Sequence, residues 1–74
     1  MSNIEYEIIE HLGTLTEPAK GWAKEINIIS WNGNDPKIDI RGWKEDHTKM
    51  TKGITLTQEE ALLAAEIILN KCNY

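Results

Sequence analysis

"KIDIRGWKEDHTKMTKGITLTQEE", residues 37–60, decides how this chain folds. Its first seven residues alternate: Ile38 and Ile40 point one way, while Lys37, Asp39, Arg41 and Trp43 point the other, the period-two pattern of a strand with unlike faces. "KEDHTKM" then reads as a polar loop. "TKGITL" reads as a short strand in which Gly53 marks a bulge or a close backbone approach. Thr57 opens "TQEE", which has the spacing of a capping box: the Thr57 hydroxyl accepts from the Glu60 amide, and the Glu60 side chain reaches back. A helix through about Lys71 follows, favoured by its Ala and Leu content and by acids near its positive end.

Upstream, "NGNDP" is a hairpin signal, because Asn32-Gly33 supplies the positive φ that tight turns require. It follows "GWAKEINIISWN", a Trp- and Ile-rich strand that is apolar on both alternating sets toward its end. "TEPAKG", with Pro18 and Gly21, reads as a turn. In "IEYEIIEHLGTL", Ile4, Tyr6 and Ile8 alternate with acids until the phase breaks at Ile9, which suits a strand with a bulge or bend. There is no repeat, low-complexity tract or linker. The expected organisation is one α+β domain over residues 1–74, with four strands followed by a helix.

That helix is apolar around most of its circumference. Glu59, Glu66 and Asn70 define one polar line, yet Leu63 falls beside it and Leu62, Ile67, Ile68 and Leu69 fill most of the rest. Resting on one sheet requires a stripe of only about 100°. The surplus, in a chain of 74 residues that is marginal alone, favours a homodimer with Leu62, Leu63, Ile67 and Leu69 at its interface.

The formal charge of −4 argues against a general nucleic-acid binder, but the charge is unevenly laid out. Residues 1–19 carry four acids and no Lys or Arg, whereas residues 20–56 hold seven cations against five acids, a local +2. Fields fade over about 8 Å at physiological salt, so the local excess matters more than the total. No apolar run approaches the roughly 20 residues that cross a bilayer, and the start lacks the charged-then-apolar order of a signal peptide. Cys72 is the only cysteine, so no intrachain disulfide forms, and the chain is expected to be cytoplasmic and to have no membrane partner.

Catalytic signals are poor. His11 and His47 lie far apart, without a carboxylate at ligand spacing and without a nucleophile motif, and His11, His47 and Cys72 have no metal-site spacing. No phosphate loop is present, and neither an enzyme nor a cofactor is expected. Aromatic and basic residues are more informative. Trp22 and Lys24 share a strand face, Lys37, Arg41 and Trp43 share another, and Lys49 and Lys52 flank the next turn. On one open sheet surface, indoles would stack bases while cations hold phosphates, a sequence-tolerant way to bind single strands. Trp31 is opposite in phase to Trp22 and is open to either a core or a site role. The rival reading makes the three tryptophans core or interface residues and the chain a module that docks a peptide or a transcription-machinery subunit.

"KIDIRGW" followed by "KMTKGITLTQEE" resembles the single-stranded-DNA-binding domain of the positive cofactor 4 family of transcriptional coactivators, and "GWAKEINIISWNG" is similar to its small bacterial, YdbC-like members. The resemblance implies a four-stranded antiparallel curved sheet with a closing helix and a homodimer built largely through the helices. It also implies a sheet groove for single-stranded DNA, with RNA as the alternative strand and bacterial nucleoid association as the setting. Arg41 matches the family's I-D-I-R arginine and Lys52 its K-G-I lysine. Trp43 falls near the family's aromatic pair, one member of which Gly42 replaces. Lys49 falls at a basic loop position, Lys24 and Lys37 at basic strand positions, and Trp22 near a family lysine. The expected nucleic-acid-binding set is therefore Lys20, Trp22, Lys24, Lys37, Arg41, Trp43, Lys49 and Lys52.

Overall fold

Two left-handed turns set the hairpins. Asn32 (φ 51°) and Gly33 (φ 74°) reverse the chain between the second and third strands, with the Asn34 amide donating to the Trp31 carbonyl at 2.8 Å. Lys20 (φ 54°) and Gly21 (φ 79°) do the same one hairpin earlier, where Ala19 and Trp22 exchange backbone hydrogen bonds of 2.8 and 2.9 Å. Both pairs have the backbone sense that matches the twist of the flanking strands.

The computed structural model describes residues 4–72, so the ends of the expected 1–74 domain lie outside the described residues. Strands β1 (Tyr6–Thr14), β2 (Trp22–Trp31), β3 (Lys37–Lys44) and β4 (Ile54–Leu56) precede helix α1 (Gln58–Lys71). They form one antiparallel sheet in the order β1-β2-β3-β4. The phase break at Ile9 is a register shift between Ile8 and Glu10, and a second lies between His11 and Gly13. Such irregularities bend a strand and increase its twist. Gly53, open to a bulge or a close approach in the sequence, is a close approach: a Cβ there would lie 2.3 Å from both the Arg41 Cβ and the Ile40 carbonyl oxygen. At the helix start the capping box forms, with the Glu60 amide donating to the Thr57 hydroxyl at 3.1 Å and the Thr57 amide to the Glu60 carboxylate at 2.9 Å.

Register assigns the faces, because directly paired residues project to the same side of a sheet. One face carries Tyr6, Ile8 and His11 from β1, and Glu25, Asn27, Ile29 and Trp31 from β2. It continues with Lys37, Asp39, Arg41 and Trp43 from β3 and Thr55 from β4. The sheet curls over this face. Tyr6 pairs with Trp31, eight residues along β2 from the partner of Trp43, yet its ring lies 5.8 Å from Trp31 and 5.3 Å from Trp43. A flat sheet would hold those two ends about 27 Å apart at a strand's usual rise. The buried side chains of Trp43, Ile29, Asn27, Asp39 and Glu25 lie on this inner side.

The outer face carries Ile26, Ile28, Ile38, Ile40, Ile54 and Leu56. None of these is fully buried, and Ile54 is exposed. Helix α1 touches only β3 and β4, sparsely, and buries none of its residues. The sequence pattern implied a helix resting on the sheet with an apolar surplus; within the chain the whole apolar girdle, from Leu62 to the 83% exposed Leu69, is uncovered. No helix among the described residues is long and apolar enough to cross a membrane.

Candidate nucleic-acid interface

The strict alternation of β3 puts Asp39 and Arg41 on the inner face as near neighbours, and the curl seals the carboxylate. Asp39 is wholly buried. It accepts from Arg41 Nε at 2.6 Å, Arg41 Nη2 at 2.8 Å and the Thr55 hydroxyl at 2.9 Å. Arg41 Nη1 turns to the Thr51 carbonyl at 3.4 Å and the Met50 sulfur at 3.6 Å. The Arg41 side chain is therefore only 14% exposed. Its role differs from a free phosphate clamp: it neutralises a buried acid first and presents its guanidinium plane second.

That plane lies over Trp31, 4.6 Å from the ring centroid. Trp31 is half-buried, and with Ile4, Asn32, Arg41, Met50 and Thr55 it lines an open cleft of about 300 Å³. Indole and guanidinium meet there in a cation–π contact, and aromatic rings and guanidinium groups are the chemistry on which unpaired bases stack. The structure thus puts Trp31 on the face of Arg41, at an accessible cleft.

Trp43 shares that face but is 0% exposed. Tyr6 covers one side of it and His47 another, with ring centroids at 5.3 and 5.4 Å, and the Tyr6 hydroxyl donates to the His47 carbonyl. Its Nε1 has no hydrogen-bond partner. A ring with no exposed surface offers no base a face, so the expectation that Trp43 stacks bases is corrected: Trp43 is the centre of the core. Gly42 receives the Thr51 side chain, whose hydroxyl accepts from the Gly42 amide at 2.9 Å.

Trp22 and Lys24 also depart from expectation. They pair with Lys44 and Gly42 and so project to the outer face, opposite Arg41. Indoles and cations do not all share one surface. On the outer face Lys44 Nζ lies 5.7 Å from the Trp22 ring centroid and 3.4 Å from the Lys20 carbonyl. A depression of about 340 Å³ beside them is bordered by Trp22, Lys24 and Thr51 and by the acid Glu17. Lys20, Lys24, Lys37, Lys49 and Lys52 are exposed. Lys44, which the sequence reading passed over, is the cation that completes the Trp22 platform. Its signal was available, since Lys44 is the cross-strand partner of Trp22 once the β2–β3 register is known.

A second cluster escaped the sequence reading because its members are distant in the chain. The inner-face carboxylate of Glu25 is 8% exposed. It accepts from Asn27 Nδ2 at 3.0 Å, lies 3.0 and 3.1 Å from His47 Nε2, and is 3.5 Å from His11 Nδ1. Burial raises its pKa, but the hydrogen bonds from Asn27 and His47 and the charges of the two imidazoles outweigh it and leave the pKa below the ordinary 4.5. A carboxyl depressed in the folded state adds stability above its unfolded pKa, and that contribution is lost as pH falls below about 4.5 through the folded value.

Residues 19–63 match the family described as Transcriptional Coactivator p15 (PC4). The chain is also 41% identical over 66 residues to an uncharacterized protein of Treponema pallidum (strain Nichols), an alignment covering 89% of this chain and 78% of that protein. With a four-stranded antiparallel sheet, a closing helix and a match over more than half its length, the chain belongs to the Transcriptional Coactivator p15 (PC4) family.

Proposed function

We propose that the chain is a single domain that binds single-stranded DNA as a homodimer, with little sequence preference, in transcription regulation or in DNA replication and repair. One observation carries this reading: two half-exposed indoles, Trp31 and Trp22, each have a cation over the ring and an open cleft alongside. Stacking on such platforms tolerates any base, and the exposed lysines Lys20, Lys24, Lys37, Lys49 and Lys52 supply phosphate contacts that carry no sequence information. RNA uses the same contacts. Family membership supports nucleic-acid binding rather than catalysis. The homodimer is supported by the helix that buries nothing and by the outer-face isoleucines beside it, since exposed apolar surface of that extent marks an interface.

Sedimentation velocity of a dye-labelled oligo-dT with micromolar protein, followed at the dye, tests both parts. At 50 mM salt the strand is expected to travel with two protomers. If about four phosphates are neutralised, the salt slope is roughly −3, and raising salt to 200 mM weakens binding roughly 60-fold. Excess unlabelled duplex should fail to release the strand. A strand that sediments free at 50 mM salt, or that duplex displaces as well as dT does, rules out the single-strand reading; a strand bound to one protomer removes the dimer.

A further inference from the structure

The inner face is lined by a file of rings, Trp31, Tyr6, Trp43 and His47, with successive centroids 5.8, 5.3 and 5.4 Å apart. Arg41 stacks on its first member and Glu25 contacts its last. The Glu25 cluster thus lies on the same inner face as the Trp31 platform, linked to it beneath the surface by the buried Trp43, and its two imidazoles are partly open to solvent, the His11 side chain at 49% and that of His47 at 37%. Asn27 Nδ2 donates to Glu25, so its Oδ1 is the acceptor at 2.7 Å for a proton on His11 Nδ1, and His47 Nε2 donates to Glu25. Each ring therefore engages the cluster through one N–H. The other nitrogen can take a second proton without breaking a bond. For His11 that nitrogen, Nε2, lies 3.2 Å from the Thr14 hydroxyl, which can switch from donor to acceptor. For His47 it is Nδ1, which has no hydrogen-bond partner among the described residues.

We propose that Glu25, His11 and His47 form a proton-dependent phosphate contact within the single-strand groove, repelling the strand when both imidazoles are neutral and holding it when both are charged. The contact rests on the single-strand reading above. With neutral rings the three groups sum to −1; with both protonated they sum to +1. The charged and titratable groups facing the cluster across the sheet are Tyr6 from β1 and Arg41 and Asp39 from β3, and the loop that carries His47 also holds Glu45, Asp46 and Lys49. Arg41 and Asp39 already neutralise each other. Of all these side-chain types, imidazole is the one that ordinarily changes charge between pH 5 and 8. Helix α1 contacts only β3 and β4 and brings no group to the cluster. Phosphate binding favours the protonated rings, so by linkage the strand draws protons onto them.

Calorimetry of the unmodified protein with oligo-dT at pH 6.5, in two buffers of different ionisation enthalpy, reads this directly, since thymine does not titrate there. Net uptake of between about 0.5 and 2 protons per protomer is expected. Affinity should also rise roughly ten-fold from pH 7.5 to 5.5, with a salt slope steeper by about 0.7 for each phosphate gained. The double variant His11→Gln, His47→Gln should cut that pH increment below two-fold. Binding at pH 7.5 with buffer-independent heat and flat pH dependence overturns the proton-dependent contact and leaves the single-strand reading standing. Absence of binding at every pH overturns both.

Discussion

Arg41→Ala is expected to destabilise the protein by about 3–5 kcal/mol, because it strands the buried Asp39 carboxylate with only the Thr55 hydroxyl as partner. Total stability in small domains is about 5–15 kcal/mol, so this is a large share, and urea denaturation should show it as a midpoint shift at unchanged slope. Loss of strand binding by the single variant would therefore confound a lost contact with a lost fold. The double variant Asp39→Asn, Arg41→Gln removes both charges and keeps a hydrogen-bonding pair; it is expected to recover at least half of the lost stability. In that background a drop in dT affinity reports the guanidinium itself. A single Arg41→Ala variant as stable as the parent would show that the pair does not hold the inner face together.

Trp43→Ala carries the second large effect, also about 3–5 kcal/mol, from emptying the centre of the core. Trp43→Phe keeps most of the ring volume and deletes the indole N–H that has no partner, so it should cost less than half as much. The two substitutions distinguish a core residue from a binding platform. A core role predicts that Trp43→Phe binds oligo-dT within two-fold of the parent, whereas a stacking role predicts normal stability with weakened binding.

What was legible in the sequence is what lies within one element or one turn. The "KIDIRGW" alternation gave the shared face of Lys37, Asp39, Arg41 and Trp43; Asn32-Gly33 gave the hairpin; Thr57 and Glu60 gave the cap; Ile9 gave a bulge or bend; and Gly53 gave a bulge or a close approach, of which the second is found. Relations between strands were less accessible. Whether Trp22 joins Arg41 depends on the β2–β3 register, and a slip of one residue would exchange every side chain between the faces. The burial of Trp43 depends on curl, produced with two irregularities in β1, which brings Tyr6 across from the far end of the sheet. His11 and His47 meet at Glu25 from a bent strand and from a loop residue at φ 59°. No spacing in the chain records that meeting.

The helix followed the same division. Its start and its apolar excess were both readable, but the excess said only that a neighbour was needed. Within the chain the sheet does not supply one, because α1 leaves β4 with few contacts to β3 and β4 and none to the outer face of β1 or β2.

The central claim is that a single strand lies against the Trp31–Arg41 platform. Two-dimensional nitrogen–proton spectra of the labelled protein, recorded while oligo-dT is added, contain one indole signal per tryptophan and test it most directly. The Trp31 and Trp22 signals are expected to move with saturation. Movement confined to the helix, or a Trp31 signal unmoved at saturating dT, would contradict the account.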